Sequence, residues 1–413
     1  MKRVRDRVGA LDVHRDSVTA ACRSVDVGTG EIIEDVEQFS TMSGGLVRLG
    51  GWLLERHVTT VAMESTGVYW KPVYYALEGM FEELWVVNAQ HVKNVPGRKS
   101  DIADAVWLAD VVAHGMVRAS FVPPQPIREL RELTRYRKTQ IEARSREIQR
   151  LEKVLQDACV KLTSVTSTVW SKSSRAMIEA LIAGERDPAV LAELAQSRMR
   201  SKIPELTDAL AANWRRQHSF VARRIIAHID FLDTTIAELS SEIAERVTPF
   251  DELIERLDEV PGIDRKIAEI LIAETGGDMS RFPTPEQLCA WAGVVPGNRE
   301  SAGKRRPAGT RPGARWLRRA LVEAAWAAVR TKDSYFNAHY HRIARHRGKN
   351  KAVVAVAHSI LNVCWHLMND PQLRYQDLGA DWFQRHQDPK RKADRLVKQL
   401  AELGYRATLE PAA

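Results

Sequence analysis

Residues 8–23 read Val8-Gly9-Ala10-Leu11-Asp12-Val13-His14, then Arg15-Asp16, then Ser17-Val18-Thr19-Ala20-Ala21-Cys22-Arg23. Two short runs rich in apolar residues, parted by two polar ones, predict two strands joined by a tight connection. Asp26-Val27-Gly28-Thr29-Gly30 is the next turn and residues 32–39 a third strand, so the chain opens as an antiparallel meander. The pattern then changes. Residues 43–56 carry apolar side chains at helical spacing, residues 60–63 form a short apolar strand, and a helix rich in Tyr and Trp follows. Residues 84–87 are another buried strand and residues 100–114 another helix.

Three meandering strands followed by α/β alternation is the element order of a ribonuclease-H-like fold, expected over residues 1–122. Acidic residues stand at particular places in it. Asp12 ends the first strand, and Glu64 follows the fourth in Val61-Ala62-Met63-Glu64-Ser65-Thr66-Gly67. Asp101 and Asp104 lie three apart in Lys99-Ser100-Asp101-Ile102-Ala103-Asp104-Ala105, on one face of a helix near its start. Clustered carboxylates repel one another. Two magnesium ions ~4 Å apart would offset that and would clamp the attacking and leaving oxygens of a phosphodiester. Each acid taken singly has a structural reading, as a strand-end residue, a cap or a partner of the helix dipole. Asp16, Glu55 and Asp110 show how common lone acids are. The set of four carries the metal reading.

The chain has 413 residues, more than one ordinary domain of ~100–200, and 44% of them are hydrophobic, enough for a sizeable core. A formal net charge of +8 favours a polyanionic partner. No apolar run is expected to approach the ~18–20 residues of a spanning helix, and Met1-Lys2-Arg3-Val4-Arg5-Asp6 leads into no signal-peptide core. A membrane partner is therefore not expected, and a cytoplasmic, nucleoid-associated location is. Cys22, Cys159, Cys289 and Cys364 form no CxxC pair and read as small core residues in a reducing compartment.

Val122-Pro123-Pro124-Gln125-Pro126 marks a boundary. Beyond it, residues 127–162 hold almost no breakers. Leu130, Leu133, Ile141, Ile148, Leu151 and Leu155 predict a helix about 50 Å long, with Arg137 and Arg144 interrupting its stripe. A second long helix is expected over residues 214–246. The middle region, residues 123–248, thus reads as an antiparallel hairpin or an oligomerising coiled coil, with residues 163–174 a loop. Residues 249–413 read as mainly helical.

Between Asn298 and Arg319 stand eight basic residues, Arg299, Lys304, Arg305, Arg306, Arg311, Arg315, Arg318 and Arg319, against one acid, Glu300. Such density suits phosphate contacts and steeply salt-dependent binding. Trp316 among them is a base-stacking or a core residue. Gly297 to Lys304 is no phosphate-binding P-loop, because five residues separate the glycines and Arg305 follows the lysine. Ser301 is either a plain loop serine or a nucleophile that the arginines activate. Glu259-Val260-Pro261-Gly262-Ile263-Asp264 resembles a helix-hairpin-helix turn, although Asp264 replaces its second glycine and a structural hairpin fits as well. Residues 337–351 hold His339, His341 and His346, read as a solvated or phosphate-facing helix with a metal site as the alternative. Trp326, Leu361 and Trp365 read as core, and residues 389–400 as a charged helix of no assigned role.

These marks follow one another in a specific order: Leu11-Asp12-Val13-His14, Met63-Glu64-Ser65-Thr66-Gly67 with Tyr69-Trp70, the Asp101/Asp104 segment, Val260-Pro261-Gly262-Ile263, Ala292-Gly293-Val294-Val295-Pro296, Ser301-Ala302-Gly303 and Leu317-Arg318-Arg319-Ala320-Leu321. Over roughly residues 8–370 the chain resembles the insertion-sequence transposases with a DEDD catalytic domain, the "one-ten" family of bridge-RNA-guided recombinases. The resemblance implies that Asp12, Glu64, Asp101 and Asp104 are the metal ligands of a RuvC-like domain and that Ser301 is a nucleophile forming a phosphoserine link to DNA. It implies an active site shared between subunits of a homodimer or homotetramer bridged by coiled coils. It also implies a noncoding guide RNA that pairs with donor and target DNA. The usual Ser-Gly reads Ser-Ala-Gly here, and Ser100 stands where Thr is common. The expected function is a magnesium-dependent DNA recombinase. A RuvC-like nuclease using metal-activated water, or a non-catalytic nucleic-acid-binding protein, are the alternatives.

Overall fold

The computed structural model describes residues 4–407 other than 27, 65–66, 89–100, 299, 302, 307–308 and 387–388, with backbone alone for 301, 305, 389–392 and 395. The chain divides into two compact units, residues 1–122 and 123–413.

The first unit is built on β1 (Val8–Val13), β2 (Ser17–Val25), β3 (Ile32–Ser40), β4 (Thr60–Glu64) and β5 (Glu83–Val87), in the spatial order β3-β2-β1-β4-β5. The meander is antiparallel as expected, with Asp12 opposite Thr19, whereas β1–β4 and β4–β5 pair in parallel. Alternation along the central strands fills both faces. Leu11 and Val13 of β1 and Val61 and Met63 of β4 pack with Leu49, Trp52 and Leu53 of α1 (Ser43–Glu55) and Val73 and Leu77 of α2 (Trp70–Leu77). Val8, Ala10 and Ala62 point the other way, against Leu108 and Val112 of α3 (Asp101–Ala113). Burial on both faces explains why these strands read as continuous apolar runs.

In the second unit, α4 (Gln125–Asp157) spans 33 residues, ~50 Å at 1.5 Å per residue. The expected loop over residues 163–174 instead contains a short helix, Leu162–Val165, and the start of α5 (Lys172–Ala183), whose cap is the Ser171 hydroxyl accepting from the Ser174 amide. The second long helix is α6 (Arg216–Val247). Ion pairs Arg246–Glu129, Arg144–Asp233 and His218–Asp157 step in opposite directions along α4 and α6, so the two are antiparallel. The arginines that interrupted the stripe have partners. Arg144 meets Asp233, and buried Arg137 places Nη2 2.7 Å from Oε2 of buried Glu269, a contact of proximity more than of aligned hydrogen bonding.

Glu269 lies on α8 (Arg265–Thr275), which follows α7 (Asp251–Asp258). Between them Gly262 adopts φ +88°, and a Cβ there would lie 2.1 Å from the Ala324 carbonyl oxygen on α9 (Arg315–Ala328). Asp264 caps α8 by accepting from the Ile267 amide. Both features are explained by packing and capping, as the structural reading of this turn has it. After α9 come α10 (Tyr335–Arg347) and α11 (Lys349–Asn369). By length and composition α11 is apolar enough to cross a membrane, a run the sequence reading overlooked. Half of it is buried, with Val356, Ile360, Leu361 and Cys364 fully enclosed, as in a core helix. Two further expectations are corrected: Cys159 is exposed, and so is Trp326, at 39%.

Candidate metal centre

Strand parity decides where the acids point. Val8, Ala10 and Asp12 share the β1 face that packs on α3, and Ala62 and Glu64 share the same face of β4. Asp12 and Glu64 also sit near the carboxyl ends of two neighbouring parallel strands, where open α/β sheets place their ligand sites. α3 begins beside them, with Asp101 and Asp104 in its first turn. Asp12 is the electrostatic focus. Burial pushes its carboxyl above the ordinary range, His14 opposes that, and the charges of Asp101, Glu64 and Asp104 push it further up. All four sequence-predicted acids are thus within electrostatic reach of one another.

The sequence reading missed His14 as a member of this group. Its Nε2 lies 3.3 Å from Asp12 Oδ2 and 3.4 Å from Asp101 Oδ1. Ligand atoms of Asp12, His14 and Asp101 all fall within 4.8 Å of one another. The signal was present: residue 14 follows Asp12 by two, and a strand repeats its face every second residue. The surrounding acids make a useful contrast. Asp110, also on α3, is held by Arg23 at 2.9 Å, and Glu83 by Arg5 and Thr60, whose hydrogen bonds keep its carboxyl below the usual range. Arg23, Arg5 and Thr60 account for the placement of those two acids. The fit to a divalent ion rests on the donor chemistry: several hard carboxylate oxygens and one imidazole around a half-buried acid whose charge partial burial, and then the neighbouring acids, disfavour.

The serine of the second unit stands on a small hairpin, β6 (Glu300–Ser301) and β7 (Lys304–Arg305), with Ser301 opposite Lys304 and Gly303 at φ +73°. The turn needs a residue tolerant of positive φ, which accounts for the glycine. Of the eight basic residues, Arg299 lies outside the described residues; Lys304, Arg306, Arg311 and Arg315 are exposed; Arg318 is half-buried. Arg319 is tied to Glu142 of α4. Trp316 is half-buried and ringed by Arg135, Arg315 and Arg319, each 5.4–5.9 Å from its centroid. His339, weighed for a metal site, instead lies near parallel to the rings of Tyr335 and Phe383, which also meet each other, and burial lowers its pKa to about 4. Among the described residues the helix 335–347 gathers no metal-ligating group.

Two family models match the chain. One, described as "Transposase" and of the DEDD type of IS110, covers residues 9–160, and the other, "Transposase IS116/IS110/IS902 family", covers residues 254–341. The chain is 28% identical over 331 residues to the "Insertion element IS900 uncharacterized 42 kDa protein" of Mycobacterium paratuberculosis, spanning 70% of this chain and 79% of that protein. It is 29% identical over 151 residues to a "Probable family 20 transposase" of Pseudomonas aeruginosa PAO1, spanning 36% of this chain and 44% of that one. The acidic centre falls in the first matched segment and the serine hairpin in the second, and together the segments span well over half of the sequence; the chain belongs to the IS110/IS116/IS902 family of insertion-element transposases.

Proposed function

We propose that this transposase cuts and rejoins DNA by attack of Ser301 on a phosphodiester held at the Asp12, Glu64, Asp101 and Asp104 centre of a RuvC-like unit. The Ser301 oxygen forms the new bond to phosphorus, the bond to the 3′ oxygen breaks, and the departing strand keeps a 3′-hydroxyl. Rejoining runs the same exchange backwards with another 3′-hydroxyl, so the number of phosphodiester bonds is conserved and no ATP is consumed. Two magnesium ions, when bound, supply charge neutralisation at the phosphate. Asp12, Glu64, Asp101 and Asp104 hold them, while the arginines and lysine of the hairpin region bind the flanking phosphates. Pairing of an element-encoded noncoding RNA with donor and target DNA selects the sites, and a homodimer or homotetramer bridged by the long helices joins a carboxylate centre to a serine hairpin of another subunit. The protein works at the nucleoid.

The observation that carries this reading is that Asp12 and Glu64, near the carboxyl ends of two parallel strands, stand within electrostatic reach of Asp101 and Asp104 in the first turn of α3. The strand order β3-β2-β1-β4-β5 supports the RuvC-like assignment. The test is a denaturation-resistant protein–DNA adduct, trapped on a nicked recombination site in magnesium and visible as a shifted band. Its loss in Ser301→Ala and in Asp12→Ala is expected. An adduct that persists in Ser301→Ala overturns the nucleophile, and cleavage that persists in Asp12→Ala overturns the metal centre. Cleavage without any adduct means that water attacks instead.

A further inference from the structure

We propose that His14 is itself a ligand of the divalent ion that Asp12 and Asp101 hold, and that it biases this centre towards manganese(II)-class ions over magnesium. The inference rests on the carboxylate-centre reading and adds a nitrogen to it.

Geometry is the first support. Ligands bound at ~2.1 Å and at right angles around one ion lie ~3 Å apart. The imidazole nitrogen is 3.3 Å from one carboxylate oxygen and 3.4 Å from another on a different element, so a small contraction brings all three onto one ion. The second support is placement. His14 shares the Asp12 face of the chain by strand parity, just past the end of β1, and its side chain is about half exposed, which leaves an approach for an ion. Chemistry supplies the preference. Magnesium favours oxygen ligands and keeps its waters, whereas imidazole binds manganese and the later first-row ions more strongly.

The full-length protein, stripped of metal with EDTA, is titrated with manganese and read by electron paramagnetic resonance. Bound manganese loses the six-line signal of the free ion, and pulsed measurements detect a directly bonded imidazole through its nitrogen-14 coupling. Nitrogen coupling is expected in the wild type and not in His14→Ala or His14→Gln. Competition with magnesium is expected to show the manganese preference falling by at least about tenfold in both variants, since even outer-shell partners of metal ligands are worth ~10–100-fold in affinity. Circular dichroism confirms the fold of each variant, and two replacements guard against a folding defect in one. Manganese bound without nitrogen coupling, or an unchanged preference in the variants, overturns the role of His14 and leaves the carboxylate centre standing. No manganese binding by the wild type overturns both.

Discussion

Replacing Asp12 with Asn is expected to make the metal-free protein more stable while abolishing its chemistry. Asp12 is 16% exposed and lies within 4.8 Å of an Asp101 carboxylate oxygen, with Glu64 and Asp104 adding to the negative field. Two unit charges ~5 Å apart repel by about 3 kcal/mol at an effective dielectric of ~20. The Asp101 side chain is 54% exposed, so solvent screens most of that, and the attraction of His14 offsets part of the rest; with the burial cost of the charge, the larger contribution, about 1 kcal/mol of relief remains for the neutral Asn. For a unit of this size the gain corresponds to a rise of roughly 4 °C in Tm. The sign against pH follows. The folded-state pKa of Asp12 is raised, so protonating it favours the fold; that contribution is complete below the ordinary carboxylate range and is lost as pH rises through the raised value. Metal reverses the ranking: ion at ~100 times its Kd stabilises the wild type by about 2.7 kcal/mol and leaves Asp12→Asn little changed. Differential scanning fluorimetry with EDTA and then with magnesium or manganese measures both effects. If Asp12→Asn melts at or below the wild type in EDTA, burial and the neighbouring acids do not penalise the Asp12 charge beyond what His14 offsets, and the case for an ion at this place collapses.

Gly262→Ala should destabilise the second unit by about 3 kcal/mol or more, because left-handed φ costs ~1–2 kcal/mol and the Cβ meets the Ala324 oxygen at 2.1 Å. A urea midpoint unchanged from wild type would contradict the packing of that turn on α9. His339, with a folded-state pKa of about 4, stays neutral while the unfolded chain takes up a proton near pH 6.5. Stability is therefore expected to fall between pH 6.5 and pH 4, by at most about 3 kcal/mol, and His339→Phe should flatten that part of the profile; parallel wild-type and variant curves would refute it.

Several parts of this molecule were legible from residue types alone. The meander, the α/β alternation after it and the two long helices follow from the spacing of apolar residues, since a strand repeats every two residues and a helix every 3.6. The placement of Asp12, Glu64, Asp101 and Asp104 was legible, because two stand at strand ends and two in the first turn of a helix, in the part of an α/β unit where such ends converge. Other features depended on partners far along the chain. Arg137 breaks the pattern of its own helix and makes sense only opposite Glu269, more than one hundred residues later. The long apolar run of α11, which the sequence reading overlooked, suits a span or a core helix by length and composition alike, and only its neighbours decide. Cys159 and Trp326 look like core residues by type, yet each faces solvent.

The sequence by itself determined which residues have chemistry to offer and which face of its own element each one takes, because backbone periodicity is a local property. Tertiary structure alone decided who meets whom. The parallel pairing of β1 with β4 and the docking of α3 across them bury Asp12 and bring charges from three separate segments into one another's field, and burial first, with the neighbouring acids adding to it, raises the Asp12 carboxyl. The same docking places His14 against Asp101, a contact between residues 87 positions apart that no local spacing encodes.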